Sequence, residues 1–325
     1  MNLAIANTIL SLQSLKQGFG PSFFKKNINY FNSLTTNNIK DNILYFLEIN
    51  KKKVETKTIE NAIVDTEFII EDCKKNDIKV IGINDKEYPT SLLQLKDAPP
   101  TIFCKGNLDI IHKAITVIGT RKPNKNGEII ANRIGEYFSS NWSISNGLAL
   151  GVDECCIKKE NTYFNNIIGV LGGGLNYTNS KTLSKNVSKH ADAVLENNGL
   201  LISEILPNSQ EDTYSVIKSC RIQAGIARAL ILVQSSITGG SKFAIKSFAE
   251  LPRTLAVINP VPQDFDSDDY NANKLLILKN ILGLSEMTEL KADKIKVSDI
   301  FLIKSKNDYA VLEQKLQKKE IKKCV

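Results

Sequence analysis

From residue 114 onward, short apolar runs alternate with longer segments in which apolar residues recur every three or four positions. A continuous apolar run is typical of a strand buried on both faces, whereas the wider spacing is typical of an amphipathic helix. In the first helical segment Ala131, Ile134, Tyr137 and Phe138 share one face. The pattern predicts strands at 115–119, 142–145, 167–171, 200–203, 229–233 and 254–258, and helices at 127–140, 152–160, 180–197, 219–228 and 241–250.

Strands that alternate with helices are typical of βαβ units, which build a mostly parallel sheet through right-handed crossovers. We therefore predict an α/β fold. Its regions are a helical domain at 1–55, a connecting lead-in segment at 56–112, the sheet domain at 113–285, and a lysine-rich tail or small module at 286–325. The flanking regions contain a predicted helix at 58–76, a strand at 79–82, an ordered proline-punctuated loop at 85–106, a strand at 300–303 and a helix at 308–323.

The composition is that of an ordinary soluble globular protein, with 42% hydrophobic and 24% charged residues in a chain of 325. The sequence contains no apolar run of the roughly 18 residues that span a membrane, and its first residues lack the basic segment of a signal peptide. We therefore expect a cytoplasmic protein without a membrane partner. The six cysteines lack a framework spacing and there are only two histidines, so we expect reduced thiols, no metal site and no cofactor.

The formal net charge of +7 favours a polyanionic partner. The abundance of Lys, Asn and Ile is also what an A/T-rich genome produces, so charge is supporting evidence only. The loops that follow the predicted strands are more informative, because parallel strands end at one edge of a sheet and ligands of open α/β folds bind there.

Five such loops combine glycines with polar residues. Glycines let a phosphate approach the backbone, and helices that begin after the loops aim their amides at it. Each glycine taken alone is better explained by a tight turn between strand and helix. The loops are Gly119-Thr-Arg121, Asn146-Gly147, Gly172-Gly-Gly174, Ser203-Glu204 and Thr238-Gly-Gly-Ser241, and the candidate cations are Arg121, Lys181, Arg221 and Lys242.

Catalysis has little support in the sequence. The dinucleotide-binding pattern Gly-x-Gly-x-x-Gly is absent after the first strand of the sheet domain, and so are a Walker A loop and a Gly-x-Ser-x-Gly elbow. Neither histidine stands beside a serine or cysteine loop motif, which argues against a nucleophilic triad. Glu204 can serve as an acid or base, but a carboxylate at that position more often caps a helix or pairs with an arginine. We expect no catalytic residue.

The order and spacing of these loops resemble the DprA/Smf family of DNA-processing proteins over roughly residues 78–282. The Gly18-Phe-Gly-Pro21 turn also suits the N-terminal helical domain of that family. The segments that carry the resemblance are Asp85-x-x-Tyr-Pro89, Leu92, Ala98-Pro-Pro100, Lys105-Gly106, Val117-Ile-Gly-Thr-Arg121 with Gly127, Ser145-Asn-Gly-Leu-Ala-Leu-Gly-Val-Asp153, Gly169-Val-Leu-Gly-Gly-Gly-Leu-Asn-Tyr177, Leu201-Ile-Ser-Glu204, Arg221-Ile-Gln-Ala-Gly225, Gly239-Gly-Ser241 and Tyr270-Asn-Ala-Asn-Lys-Leu-Leu276.

The resemblance implies an extended Rossmann-like sheet, with helices on both faces, that binds single-stranded DNA. It also implies a homodimer that protects incoming DNA and helps to load the RecA recombinase in natural transformation. One phosphate would contact Arg121 and the amides near Gly119, Gly147 and Gly240, and neighbouring phosphates would follow the other cations. The residues expected to bind DNA are Gly119, Thr120, Arg121, Gly147, Lys181, Arg221, Gly240, Ser241 and Lys242.

The sequence departs from the family pattern at four places. Cys155-Cys156 stands near the usual Ala-His pair, and Ser219-Cys-Arg221 replaces Arg-Asn-Arg with the loss of one cation. Gly239 replaces the first serine of Ser-Gly-Ser, and Tyr177-Thr178 replaces Tyr-Pro. Two alternatives therefore stay open. One is a nucleotide-binding or phosphoribohydrolase-like module that uses Glu204, and the other is a degenerate scaffold that binds neither ligand.

Overall fold

The computed structural model describes residues 3–15, 17–34 and 38–321. Cys324 and the last two residues of the predicted helix 308–323 lie outside them. The helices and strands, in chain order, are α1 Leu3–Ser14, α2 Pro21–Lys26, α3 Ile28–Ser33, α4 Ile39–Ile49, α5 Thr56–Lys75, β1 Lys79–Gly82, β2 Thr101–Gly106, β3 Ala114–Ile118, α6 Lys125–Phe138, β4 Ser143–Asn146, α7 Val152–Cys155, β5 Lys158–Lys159, β6 Thr162–Tyr163, β7 Ile167–Leu171, α8 Tyr177–Ser180, α9 Lys185–Glu196, β8 Leu200–Ser203, α10 Thr213–Ile226, β9 Ala227–Leu232, α11 Ser241–Ala249, β10 Thr254–Ile258, α12 Asn271–Thr288, β11 Asp299–Ile303 and α13 Asn307–Ile321.

The chain divides into two compact units. The first comprises Met1–Lys105, Gly172–Leu183 and Ile202–Ser215, and the second comprises Gly106–Leu171, Ser184–Leu201 and Val216–Val325.

The first unit is a helical bundle with an antiparallel pair of strands. Helix α1 packs against α4, α5 and β1, and β1 pairs with β2. An aromatic cluster fills the space between the short helices, where the rings of Phe31 and Phe46 stack with centroids 4.4 Å apart. In the predicted ordered loop, the buried Tyr88 donates its hydroxyl to the Pro99 carbonyl oxygen at 2.8 Å. This bond explains how a proline-punctuated segment keeps one conformation.

The second unit contains a mostly parallel sheet. In this sheet, which takes in the first residues of β8, the strand order is β8-β7-β4-β3-β9-β10-β11. The pairs β3–β4, β4–β7, β3–β9, β9–β10 and β10–β11 are all parallel. Every residue of β3, β7 and β10 is buried, as expected for strands that are covered on both faces. The predicted mostly parallel α/β fold is confirmed.

Two helix groups supply the core of this unit. On the predicted apolar face of α6, Ala131, Ile134 and Phe138 are fully buried, whereas Tyr137 is partly buried and donates its hydroxyl to Glu313. A separate cluster joins Leu230 of β9 to Phe248 of α11 and Leu276 of α12. Helix α12 carries a break at Asn280, whose φ is 50°.

Three predicted helices have wrong boundaries. The helix predicted at 152–160 ends at Cys155, because Glu160 turns with a φ of 54° and β5 pairs with β6. The helix predicted at 180–197 begins only at Lys185, because Lys181 ends α8 in the left-handed conformation. The helix predicted at 219–228 begins at Thr213, six residues early, and gives way to β9 at Ala227.

The tail after residue 286 contributes to the sheet. Its predicted strand is β11, which pairs in parallel with β10, and its predicted helix is α13. Helix α13 packs its Tyr309 ring against Phe138 of α6. Glu313 of α13 accepts hydrogen bonds from the Tyr137 hydroxyl at 3.0 Å and from the Trp142 indole at 3.1 Å.

Candidate nucleic-acid interface

The chain reverses its direction across the sheet between β3 and β9. From β3 it proceeds outward through β4 and β7 to β8, and it then returns to β9 on the other side of β3. At such a switch point the loops after the two central strands diverge and leave a crevice at the carboxyl edge. The second unit brings three of the five predicted loops to this edge: residues 119–121 after β3, residues 146–147 at the end of β4, and residues 238–241 at the start of α11.

The first loop is held rigidly. The Thr120 amide donates to the Gln234 carbonyl oxygen at 2.8 Å, and the Val152 amide donates to the Thr120 carbonyl oxygen at 3.1 Å. A β-carbon at Gly119 would lie 2.4 Å from the Val152 side chain, so only glycine fits there. The loop therefore presents the exposed Arg121 side chain from a fixed backbone.

The second loop, residues 147–151 after β4, closes around a carboxylate. Oδ2 of Asp153 accepts the amide of Gly147 at 3.0 Å and that of Ala149 at 3.3 Å. Leu148 and Gly151 both have positive φ, at 54° and 80°. The amides of Thr120 and Gly147 thus already have acceptors inside the protein, and the phosphate contact at Gly147 stays a prediction.

Asp153 has an unusual ionisation equilibrium. Burial raises the pKa of its carboxyl to about 7, against the opposing effects of the loop amides and the Arg121 charge. Asp153 and Arg121 therefore act on each other electrostatically at the same sheet edge. The sequence contained Asp153 in a matching motif, but only the folded loop gives it a role at the site.

The third loop begins α11. Gly240 is exposed, and a β-carbon there would have no heavy atom within 4 Å. In the described part of the chain the amides of Lys242 and Phe243 bond within the turn, and the amides of Gly240 and Ser241 have no acceptor. Amides that begin a helix attract anions. The Lys242 ammonium lies 5.4 Å from the centroid of the Phe243 ring.

Two predicted cations have different surroundings. The side chain of Arg221 on α10 is buried, with 6% exposure, and Nη1 donates to the Lys218 carbonyl oxygen at 3.1 Å. Its neighbour Ser219 is also buried and bonds to the Val216 carbonyl oxygen. Lys181 is exposed, belongs to the first unit and lies between α8 and α9 rather than on a helix.

The triple glycine and Glu204 also belong to the first unit. A β-carbon at Gly174 would lie 2.2 Å from the carbonyl oxygens of Leu206 and Pro207, so close backbone packing explains this glycine. The Gly174 amide donates to the Ser209 carbonyl oxygen at 2.9 Å.

Sequence reasoning missed the role of two buried amide side chains. Gln234, two residues after the end of β9, accepts the Asn124 amide at 3.1 Å, and its Oε1 lies 2.2 Å from where a β-carbon at Gly127 of α6 would stand. Asn273 donates to the carbonyl oxygens of Val233 at 2.9 Å and Ile258 at 3.0 Å. These bonds tie the ends of β9 and β10 to α12. The sequence signal for Gln234 was its place, as a polar residue that directly follows the apolar run 229–233.

All five described cysteines are free thiols, and burial raises the pKa of Cys155 and Cys156. Within residues 3–15, 17–34 and 38–321 no cluster of His, Cys, Asp and Glu side chains is arranged to hold a metal ion. Among the same residues, none of the helices has the length and apolar character needed to cross a membrane.

A protein-family model matches most of this chain. The model of the DNA recombination-mediator protein A family matches residues 79–290, about two thirds of the chain. The DNA processing protein DprA of Bacillus subtilis is 28% identical over 174 residues, which cover 52% of this chain and 56% of that protein. The match to DprA of Streptococcus pneumoniae covers 61% of that protein, so the chain spans little more than half the length of these relatives. Protein Smf of Borreliella burgdorferi is 24% identical over 84% of this chain and 87% of its own.

Two solved structures share the fold. The crystal structure of DNA processing protein A from Streptococcus pneumoniae matches with a TM-score of 0.64 and 20% identity, over 96% of this chain and 97% of that chain. DNA processing protein A from Helicobacter pylori, whose structure describes its mode of binding single-stranded DNA, matches with a TM-score of 0.52 and 19% identity. That match covers 62% of this chain and 87% of the other.

Proposed function

The chain belongs to the DNA recombination-mediator protein A family, and we propose that it binds single-stranded DNA at the carboxyl edge of its parallel sheet. The observation that carries the proposal is the exposed Arg121 on a locked loop at the switch point. A guanidinium binds a phosphate through two parallel hydrogen bonds, and the fixed backbone leaves only the Arg121 side chain to be ordered on binding.

A second phosphate contact is proposed at the start of α11. The unoccupied amides of Gly240 and Ser241 and the charge of Lys242 are suited to an anion there. These contacts are made to the phosphates of the DNA and not to its bases. Binding is therefore independent of DNA sequence and sensitive to salt. Gly119 and Thr120 then serve to hold Arg121, and Gly147 serves to hold Asp153.

The proposed activity is binding without catalysis. The relatives named above are DNA processing proteins, and we extend their activity to this chain as a homodimer in the cytoplasm. In this role it protects incoming single-stranded DNA and helps to load RecA during natural transformation. Arg221 and Lys181 stay predicted DNA contacts, and each is tested by the affinity of its own alanine variant for single-stranded DNA.

The test is the affinity of Arg121→Ala for a fluorescent oligo-dT, measured by anisotropy. Losing one charged hydrogen-bonding group costs ~1.5–3 kcal/mol, which is a ~10- to 150-fold weaker Kd. The slope of log Kd against log salt should also fall by ~0.7, because one phosphate contact is lost.

Arg133→Ala is the matched control. Arg133 is exposed on the same unit, eight residues into α6, and its charge acts on Tyr309. We expect Arg133→Ala to bind as the wild type does. Equal affinities for the Arg121→Ala variant and the wild type would remove Arg121 from the site. Displacement of oligo-dT by nucleoside monophosphates at equal phosphate concentration would favour the nucleotide-binding alternative.

A further inference from the structure

The loop between β4 and α7 contains an anion of its own. Oδ2 of Asp153 accepts two loop amides, at 3.0 Å from Gly147 and 3.3 Å from Ala149. Leu148 adopts a left-handed φ of 54° so that both amides point inward. The carboxylate thus occupies the backbone donors that a phosphate would otherwise use.

This loop is bonded directly to the loop that carries Arg121. The Val152 amide donates to the Thr120 carbonyl oxygen at 3.1 Å. A β-carbon at Gly151 would lie 2.5 Å from that same oxygen and 2.6 Å from the Arg121 carbonyl carbon, so the two backbones are in contact.

We propose that Asp153 is a positioning residue of the DNA site, which acts on a bound phosphate through Arg121 and takes up a proton when the phosphate binds. The inference rests on the proposed function. It adds that the affinity for single-stranded DNA is coupled to pH through one carboxyl group.

The groups that face Asp153 come from three elements. Arg121 approaches from the loop after β3, Cys156 from the end of α7, and Cys220 from α10. The uncharged Gln223 of α10 lies beside the same loop at Gly147. Burial raises the pKa of Cys220 to about 11 and the pKa of Cys156 well above its usual value, so both are neutral thiols near pH 7. Arg121 is therefore the charge that stabilises the Asp153 carboxylate.

The sign of the coupling follows from this arrangement. Burial holds the pKa of Asp153 at about 7 while Arg121 lowers it. A phosphate on Arg121 neutralises that cation and adds a negative charge, so the pKa of Asp153 rises in the complex. The complex then holds more protons than the free protein. Affinity is highest well below pH 7 and falls as the pH rises through 7, by at most about tenfold per pH unit for one group.

The experiment measures oligo-dT anisotropy from pH 6 to 8.5 at constant ionic strength. The wild type should lose affinity across this range. Asp153→Asn, which mimics the protonated carboxyl, should bind with the same Kd at every pH and more tightly than the wild type at pH 8. Asp109→Asn is the control, because Asp109 is an exposed carboxyl just before the amino end of β3, and it should keep the wild-type pH profile.

If Asp153→Asn does not fold, calorimetry of the wild type tests the same proposal by measuring proton uptake. Binding enthalpies in two buffers of different ionisation enthalpy at pH 7.5 report the protons taken up, and we expect a value between zero and one. Binding that is tight but independent of pH, with no proton uptake, overturns the role of Asp153 and leaves the DNA site intact. Absence of oligo-dT binding at every pH overturns the proposed function itself, and the role of Asp153 with it.

Discussion

Gly151 should tolerate no side chain, although it lies in a surface loop. Its φ of 80° and ψ of −125° lie in a region that residues with a β-carbon rarely adopt. Holding an alanine in this conformation costs ~1–3 kcal/mol of backbone strain. An alanine β-carbon would also lie 2.5 Å from the Thr120 carbonyl oxygen, which is backbone and cannot rotate away. Such overpacking costs a further ~1–3 kcal/mol. We therefore expect Gly151→Ala to lower the free energy of unfolding by at least ~2 kcal/mol.

Gly240→Ala is the matched control. Gly240 has φ −58° and ψ −25°, and its β-carbon would enter open space. Replacing a glycine at a compatible position stabilises by ~0.4–1 kcal/mol through the unfolded chain. Thermal unfolding should therefore show a Tm lower by ~4–8 °C for Gly151→Ala, taking the response of a domain of 150–250 residues. The Tm of Gly240→Ala should be unchanged or slightly higher.

The two variants also separate support of the site from contact with DNA. Gly151→Ala should weaken oligo-dT binding because it displaces the backbone of Arg121. Gly240→Ala should weaken binding without loss of stability, because the methyl group would stand between the phosphate and the α11 amides. A Gly151→Ala variant with wild-type Tm would refute the steric reasoning about the joined loops.

Two predictions concern the body of the second unit. Nη1 of the buried Arg253 donates to the carbonyl oxygens of Ala224, Gly225 and Ala227 at the end of α10, and burial lowers the pKa of its guanidinium to about 10. Arg253→Met should therefore cost ~1.5–3 kcal/mol in urea unfolding, and an unchanged midpoint would contradict this. Glu313→Ala leaves the indole of Trp142, the only tryptophan, without its acceptor, so its emission maximum should shift. An unaltered spectrum would show that α13 does not dock through Glu313.

Most of the sheet could be predicted because most of its strands are runs of mainly apolar residues, with β4 as the exception. Strands β7, β8 and β10 have the predicted bounds, since nothing in an uninterrupted apolar run competes with burial on both faces. The first residues of the helices were harder to predict than the bounds of the strands. The beginning of α10 has a local signal, in that Oδ1 of Asp212 accepts the Ser215 amide at 2.7 Å, but polar residues 211–215 show no apolar periodicity.

The site was predictable as a set of loops and not as a set of contacts. Gly119 and Gly240 look alike in the sequence, yet the first is required by the Val152 side chain and the second is sterically free. Arg121 and Arg221 are both arginines of matching motifs, but the first is exposed and the second is buried. Such differences depend on tertiary neighbours, which the sequence does not specify position by position.

We propose that this chain binds single strands of DNA through their phosphates. The most direct test is the anisotropy of labelled oligo-dT with the wild-type protein at two salt concentrations, with a duplex of equal length as competitor. We expect tight binding that weakens as salt rises and that the duplex fails to displace. Absence of binding at low salt, or equal displacement by the duplex, would contradict the claim.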